Sequence, residues 1–190
     1  MKYPRLTFQA SSIPLYFEEL DYPSPPRDDW PRYAPDDEGY GWIAGSLITE
    51  NGESNFYLAR GEGDLNEVTE IPGIGLLINA GGCCHIATAE SIRALPYPWG
   101  GWIDTRVTPE GTVALCHHVS ALVVRPDGTI VRIEPGHCDL HNIEALTESA
   151  ISLRGNFHTN GELEVKKFHI SIKNSADLLQ YSPRNRGRSK

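Results

Sequence analysis

The sequence lacks any long apolar run. Nothing in it approaches the roughly 18 consecutive apolar residues that a membrane-spanning helix needs, so no such span is expected. The first twenty residues, "MKYPRLTFQASSIPLYFEEL", contain no extended apolar stretch of the kind a secretory signal carries, and none is expected there. Cysteine is sparse: four in 190 residues cannot staple a disulfide scaffold. A reducing, cytoplasmic setting is the resulting expectation. Positive charge is also short. Lys+Arg number 17 against 25 Asp+Glu, a formal net charge of −8. Such a surface repels phosphate backbones and argues against general nucleic-acid binding. It suits a basic protein partner instead.

What is present suffices for one core. Hydrophobic residues make up 39% of the chain and charged residues 22%, while Gly 18 and Pro 14 point to many turns and short strands. A single domain is expected over residues 1–181. The basic end, "SPRNRGRSK" (182–190), is expected to be a disordered tail. Residues 22–40 carry five prolines among a cluster of acids, which excludes regular structure. This long acidic loop is either pinned to the body by Trp30 and Tyr33 or acts as a lid.

Strand signals begin at Gly41. Residues 41–63 read as a hairpin, with Asn51-Gly52 supplying the positive-φ positions of a type I′ turn. Residues 74–79 form a short apolar strand. Strands are also expected in "WIDTRV", in "TVALCHHVSALVV" and in "GTIVRIEP". Arg125-Pro126-Asp127-Gly128 fits a type I turn with a G1 bulge. A last hairpin crosses Asn160-Gly161. Two segments read as helices. In 84–95, Ile86, Ala89, Ile92 and Leu95 recur every three positions and Pro96 stops the run. In 139–155, Asp139 caps the start, Ile143, Leu146, Ala150 and Leu153 share a face, and Gly155 ends it. The expected class is α+β: an antiparallel sheet of roughly six to eight strands with two main helices.

All four cysteines and five of the seven histidines lie between Cys83 and His141. They form three groups: Cys83-Cys84-His85, Cys116-His117-His118, and His137-Cys138 with Asp139 and His141 behind. A thiol at a helix N-terminus is a better nucleophile, because unpaired N–H groups favour the thiolate. Cys83 is the candidate nucleophile, with Cys84 serving if the helix starts one residue later. The Arg125–Gly128 turn would set Ser120 opposite Glu134. His118 would then share a face with Glu134 at a diagonal of about 7–8 Å. Trp99 and Trp102, with Cys84, would line a substrate wall; the tryptophans also read as large side chains packed on bare glycine backbone.

The order "GGCCHIATAESIRALPYPWGGWIDTRV…HHVSALVVRPDGTIVRIEPG" resembles the core of transglutaminase-like and papain-like cysteine enzymes over about 55 of the 190 residues. The resemblance implies a nucleophilic Cys83, a base His118 and an orienting carboxylate Glu134. It implies acyl transfer on a small-molecule or protein amide substrate: an amidase, protease, deamidase or transglutaminase-like reaction. The family usually has Asp where this chain has Glu134. No cofactor is expected.

Three other readings compete. The same register sets Cys116 opposite Cys138, so Cys116, His118 and Cys138 would hold zinc, the one metal the sequence suggests. The chain would then be a structural zinc-binding domain. It also reads as a non-catalytic β-rich binding module of the immunity-inhibitor type. Finally, the cysteines read as small apolar fillers of a core.

Overall fold

The computed structural model describes residues 7–20, 29–36, 41–63, 66–96, 101–135, 138–159 and 162–172. The basic tail, Trp99, His137 and much of the 22–40 loop lie outside these residues. The chain divides into two compact units, Met1–Trp102 with Pro109–Gly111, and Ile103–Thr108 with Thr112–Lys190.

The first unit holds two sheets, with strands numbered along the chain. One contains β1 (Thr7–Ala10), β2 (Leu15–Leu20), β3 (Arg32–Tyr33), β4 (Gly41–Thr49) and β5 (Gly52–Arg60) in the order β1-β2-β4-β5-β3. Only β3 runs parallel to its neighbour. The other is the meander β6 (Asn66–Ile71), β7 (Gly75–Ala80), β8 (Cys83–Thr88) and β9 (Ile92–Ala94). The second unit has the meander β10 (Asp104–Val107), β11 (Val113–His117), β12 (Ser120–Val124) and β13 (Ile130–Ile133). It also has the three-stranded sheet β14 (Cys138–Leu146), β15 (Ala150–Thr159) and β16 (Glu162–Ser171).

The architecture is all-β, with sixteen strands and no helix among the described residues. This corrects the α+β expectation, and both helix readings fail for identifiable reasons. In the first, Gly81 (φ 60°) and Gly82 (φ 85°) form a two-residue turn that sets Ala80 opposite Cys83. Two consecutive positive-φ glycines are hairpin chemistry, and they launch a strand. The three-residue spacing of Ile86, Ala89 and Ile92 comes from a strand, a tight turn and another strand, with Ala87 opposite Ile92. In the second, β14 carries register shifts between Leu140 and Asn142 and between Ile143 and Ala145. An added bulge residue stretches the strand's period of two to three. Leu140 and Ile143 therefore both reach the core, imitating a helical face.

Turn chemistry did predict register. Arg125 N donates to Thr129 O (2.9 Å), Gly128 N donates to Arg125 O (2.9 Å), and Val124 lies opposite Ile130. Thr108-Pro109-Glu110-Gly111-Thr112 repeats this pattern: Thr108 N donates to Thr112 O (2.9 Å) and Gly111 has φ 90°. The β4–β5 hairpin forms too, but its loop is Glu50-Asn51, since Thr49 lies opposite Gly52. The single strand expected in "TVALCHHVSALVV" is two strands, with His117 opposite Ser120 across a His118-Val119 turn. Around Trp30, part of the proline-rich loop packs on β5. The Trp30 and Tyr57 rings are 5.2 Å apart, and the Tyr33 and Phe56 rings 6.0 Å.

Each unit has its own core. Phe17, Phe56, Leu58, Leu76 and Ile78 anchor the first; Val123, Ile133, Leu140, Ile143 and Leu153 anchor the second. Each such side chain contributes about 1.5–3 kcal/mol when fully buried. No helix among the described residues is long and apolar enough to cross a membrane.

On β6, Glu70 ties the β1–β2 turn to its neighbouring sheet. Its carboxylate accepts from Ser11 N (2.8 Å), Ser11 Oγ (2.7 Å), Ser12 N (2.9 Å) and Ser12 Oγ (2.6 Å). These donors, led by the Ser12 hydroxyl, hold its pKa at about 2 against a usual 4.5. Its folded pKa is depressed, so its contribution is complete above pH 4.5 and is lost as pH falls towards about 2. Urea unfolding of Glu70→Gln across this window should give lower stability at pH 7 and a flatter pH dependence than the wild type.

Candidate functional site

The cysteines sit deep in the strands. Cys83 and Cys84 open β8 and are fully buried. Burial, and then the charge of Asp36, push the Cys83 thiol up to about 12. Cys84 is raised well above its usual value by burial, and then by Cys83 and Glu67. A strand offers no helix terminus to lower either, so both stay protonated at neutral pH and are poor nucleophiles. Next to them, His85 is fully buried and its Nε2 bonds Ala59 O (2.9 Å). Burial holds its pKa down at about 4, so it is neutral at pH 7.

Cys83 belongs to the first unit, whereas His118 and Glu134 belong to the second. Glu134 pairs with its own strand: its Oε1 lies 2.7 Å from Arg132 Nε. The diagonal from His118 to Glu134 required both to sit on continuous strands, and His118 instead occupies a turn. Cys116 lies opposite Ala121 and Cys138 opposite Phe157. Both thiols belong to the apolar core of the second unit. Burial, followed by Asp104 and Cys138, raises Cys116 to about 12; burial, followed by Asp139, raises Cys138 to about 11. Among the described residues, no group of three or more His, Cys, Asp or Glu side chains is arranged to hold a metal. Trp102 is buried, and its Nε1 donates to Pro96 O (3.0 Å).

The second unit brings together a different set. His118 Nδ1 lies 2.9 Å from Asp139 Oδ1, with side chains 58% and 49% exposed. His141 Nε2 lies 3.9 Å from the other oxygen, Asp139 Oδ2. The His117 ring stands nearly edge-on to His118, with centroids 5.5 Å apart.

Backbone features hold this cluster. Leu140 N donates to His118 O (2.5 Å), locking the β11–β12 turn onto β14. His141 is the extra residue of a bulge between Leu140 and Asn142, and a bulge re-aims the side chain it carries. Gly155 lies opposite Leu140, where a Cβ would come within 2.7 Å of Cys138 Sγ and 2.8 Å of Asp139 O. Asp104 Oδ2 accepts from Ile143 N (2.8 Å) and supports the strand beyond. In the turn between β14 and β15, Glu148 accepts from the hydroxyls of Thr108 and, at 2.6 Å, Thr112.

A carboxylate can only accept, so the proton between His118 and Asp139 resides on Nδ1. This leaves Nε2 as the atom free to accept a proton. Asp139, expected as a helix cap, lies on β14 instead. The available signal was Asp-x-His on a strand, where alternate residues share a face.

The chain matches no family model. It also matches no curated protein. Among solved structures, it is similar to selenomethionine-substituted virginiamycin B lyase from Staphylococcus aureus, at 16% identity and a TM-score of 0.42. The match covers 85% of this chain and 61% of that one. A TM-score of that size does not establish a shared fold. Neither transglutaminase-like nor papain-like enzymes are matched, and the segment that carried that resemblance folds as strands. The Cys83–His118–Glu134 acyl-transfer expectation is therefore corrected. Its alternatives, an immunity-type binding module and a structural zinc domain, find no support in the comparisons.

Two outcomes follow from the packing. Iodoacetamide at pH 7 should leave Cys83, Cys84 and Cys116 unlabelled in native protein and label all three in urea, as read by peptide mass mapping. Gly155→Ala should lower stability by about 1–3 kcal/mol through overpacking, as measured by denaturant unfolding.

Proposed function

We propose that the His118–Asp139 pair is a proton-transfer centre and that the chain acts as a general acid–base catalyst on a small polar substrate. The observation that carries this reading is the 2.9 Å Nδ1–Oδ1 contact of an imidazole that remains 58% exposed. The carboxylate orients the ring, while Nε2 takes a proton from substrate and returns it. His141, on the other oxygen of Asp139, adds a second proton carrier within the cluster. None of these steps draws on the buried thiols. A cytoplasmic setting belongs to the same reading, and four free cysteines fit a reducing compartment.

Ring opening of 5-nitrobenzisoxazole tests the base without knowledge of the natural substrate. The base removes the C3 proton, the C–H electrons complete the nitrile, and the N–O bond breaks to give a coloured phenolate. The wild-type protein should exceed free imidazole at equal concentration. His118→Asn should reduce the rate at least about tenfold and Asp139→Asn by less. His169→Asn, which changes a histidine bonded to Ser152, should leave it unchanged. A His118→Asn protein as fast as the wild type would refute the proposal.

A further inference from the structure

The first unit contains a groove of about 230 Å³ that the His118 centre does not use. The β4–β5 hairpin, β3 and the β8–β9 turn enclose it. Tyr33, Phe56 and Ile92 supply apolar and aromatic wall, and Glu53, Asn55 and Glu90 supply acceptors. Among the described residues, no lysine or arginine lines it.

Two observations define what would fit. First, the charged side chains among its described lining residues are both acidic, Glu53 and Glu90. Glu53 accepts a hydrogen bond from Ser46 Oγ at 2.8 Å. Glu90 sits on an exposed turn whose backbone is tied by Thr88 Oγ1. Second, Asn55 Oδ1 is buried without a hydrogen-bond partner. An unsatisfied carbonyl is costly, and it gains most from a charged donor. The terminal torsion of asparagine is soft, so the amide can turn to present this oxygen to an incoming N–H. The Tyr33 and Phe56 rings meet edge to face at 74° and give the groove an aromatic wall for an apolar body.

We infer that this groove binds a small organic ammonium: a primary amine, protonated at neutral pH, on a compact apolar body. The ammonium donates to Asn55 and lies between the Glu53 and Glu90 charges, and the body packs on Tyr33 and Ile92. The volume falls below the range of about 300–1,000 Å³ usual for drug-sized ligands, which limits the occupant to a single ring or a short branched chain.

The test is ¹H–¹⁵N NMR titration of the full chain with 2-phenylethylammonium chloride, 2-phenylethanol and sodium phenylacetate. The ammonium should shift the amides of Asn51, Gly52, Ser54, Glu90 and Ser91. It should bind at least about tenfold more tightly than the alcohol, and the carboxylate should not bind. Asn55→Leu should lose that preference. Glu90→Gln, on an exposed turn, should weaken the ammonium several-fold with an otherwise unchanged spectrum, which keeps the test valid if the Asn55 variant misfolds. Equal affinity for ammonium and alcohol, or no shift at these amides at about 10 mM ligand, would overturn the inference.

Discussion

The structure depends on backbone pairing between strands that are covered on both faces. Every residue of β7, β11 and β12 is buried, as are the first five of β8. A buried strand has no water for its N–H and C=O groups, so each must pair sideways with a neighbour. Short turns accomplish this by returning the chain next to itself. The Gly81-Gly82 turn shows how little space is available. A Cβ on Gly81 would lie 2.4 Å from Gly61 O, and one on Gly82 would lie 3.0 Å from Gly101 Cα. Asn79 Oδ1 accepts from Gly82 N at 2.8 Å and holds the turn shut.

Burial on both faces also determines the chemistry of the thiols. A sulfur in such a strand has no water to stabilise a thiolate and no helix dipole to replace it. Cys83, Cys84 and Cys116 consequently behave as small apolar side chains. His85 obeys the same rule with the opposite sign of charge: burial removes the proton from a base and keeps it on an acid.

Exposed titratable groups cluster where the strands are interrupted. His118 lies in a turn and His141 on a bulge, and Asp139, near the start of β14, connects them. The turn exposes one imidazole, the bulge redirects the other, and Gly155 leaves room beneath for Cys138 and Asp139. The groove in the first unit follows a similar logic, being built from hairpin and turn residues.

Local chemistry alone determined several features. Pro126, Asp127 and Gly128 specify a turn whose φ values are nearly obligatory, so the pairing of β12 with β13 was legible residue by residue. The β4–β5 hairpin and the concentration of cysteine and histidine between residues 83 and 141 were legible too. Tertiary structure decided the rest. Strands buried on both faces lose the alternation that marks a strand, and bulges in β14 place apolar residues three apart, so both segments mimicked helices. The partner of His118 depended on a turn two residues long and on a backbone bond from Leu140, contacts that no spacing rule contains. Whether a cysteine is a nucleophile or a filler is settled by what surrounds its sulfur, and packing brings those neighbours from distant parts of the chain.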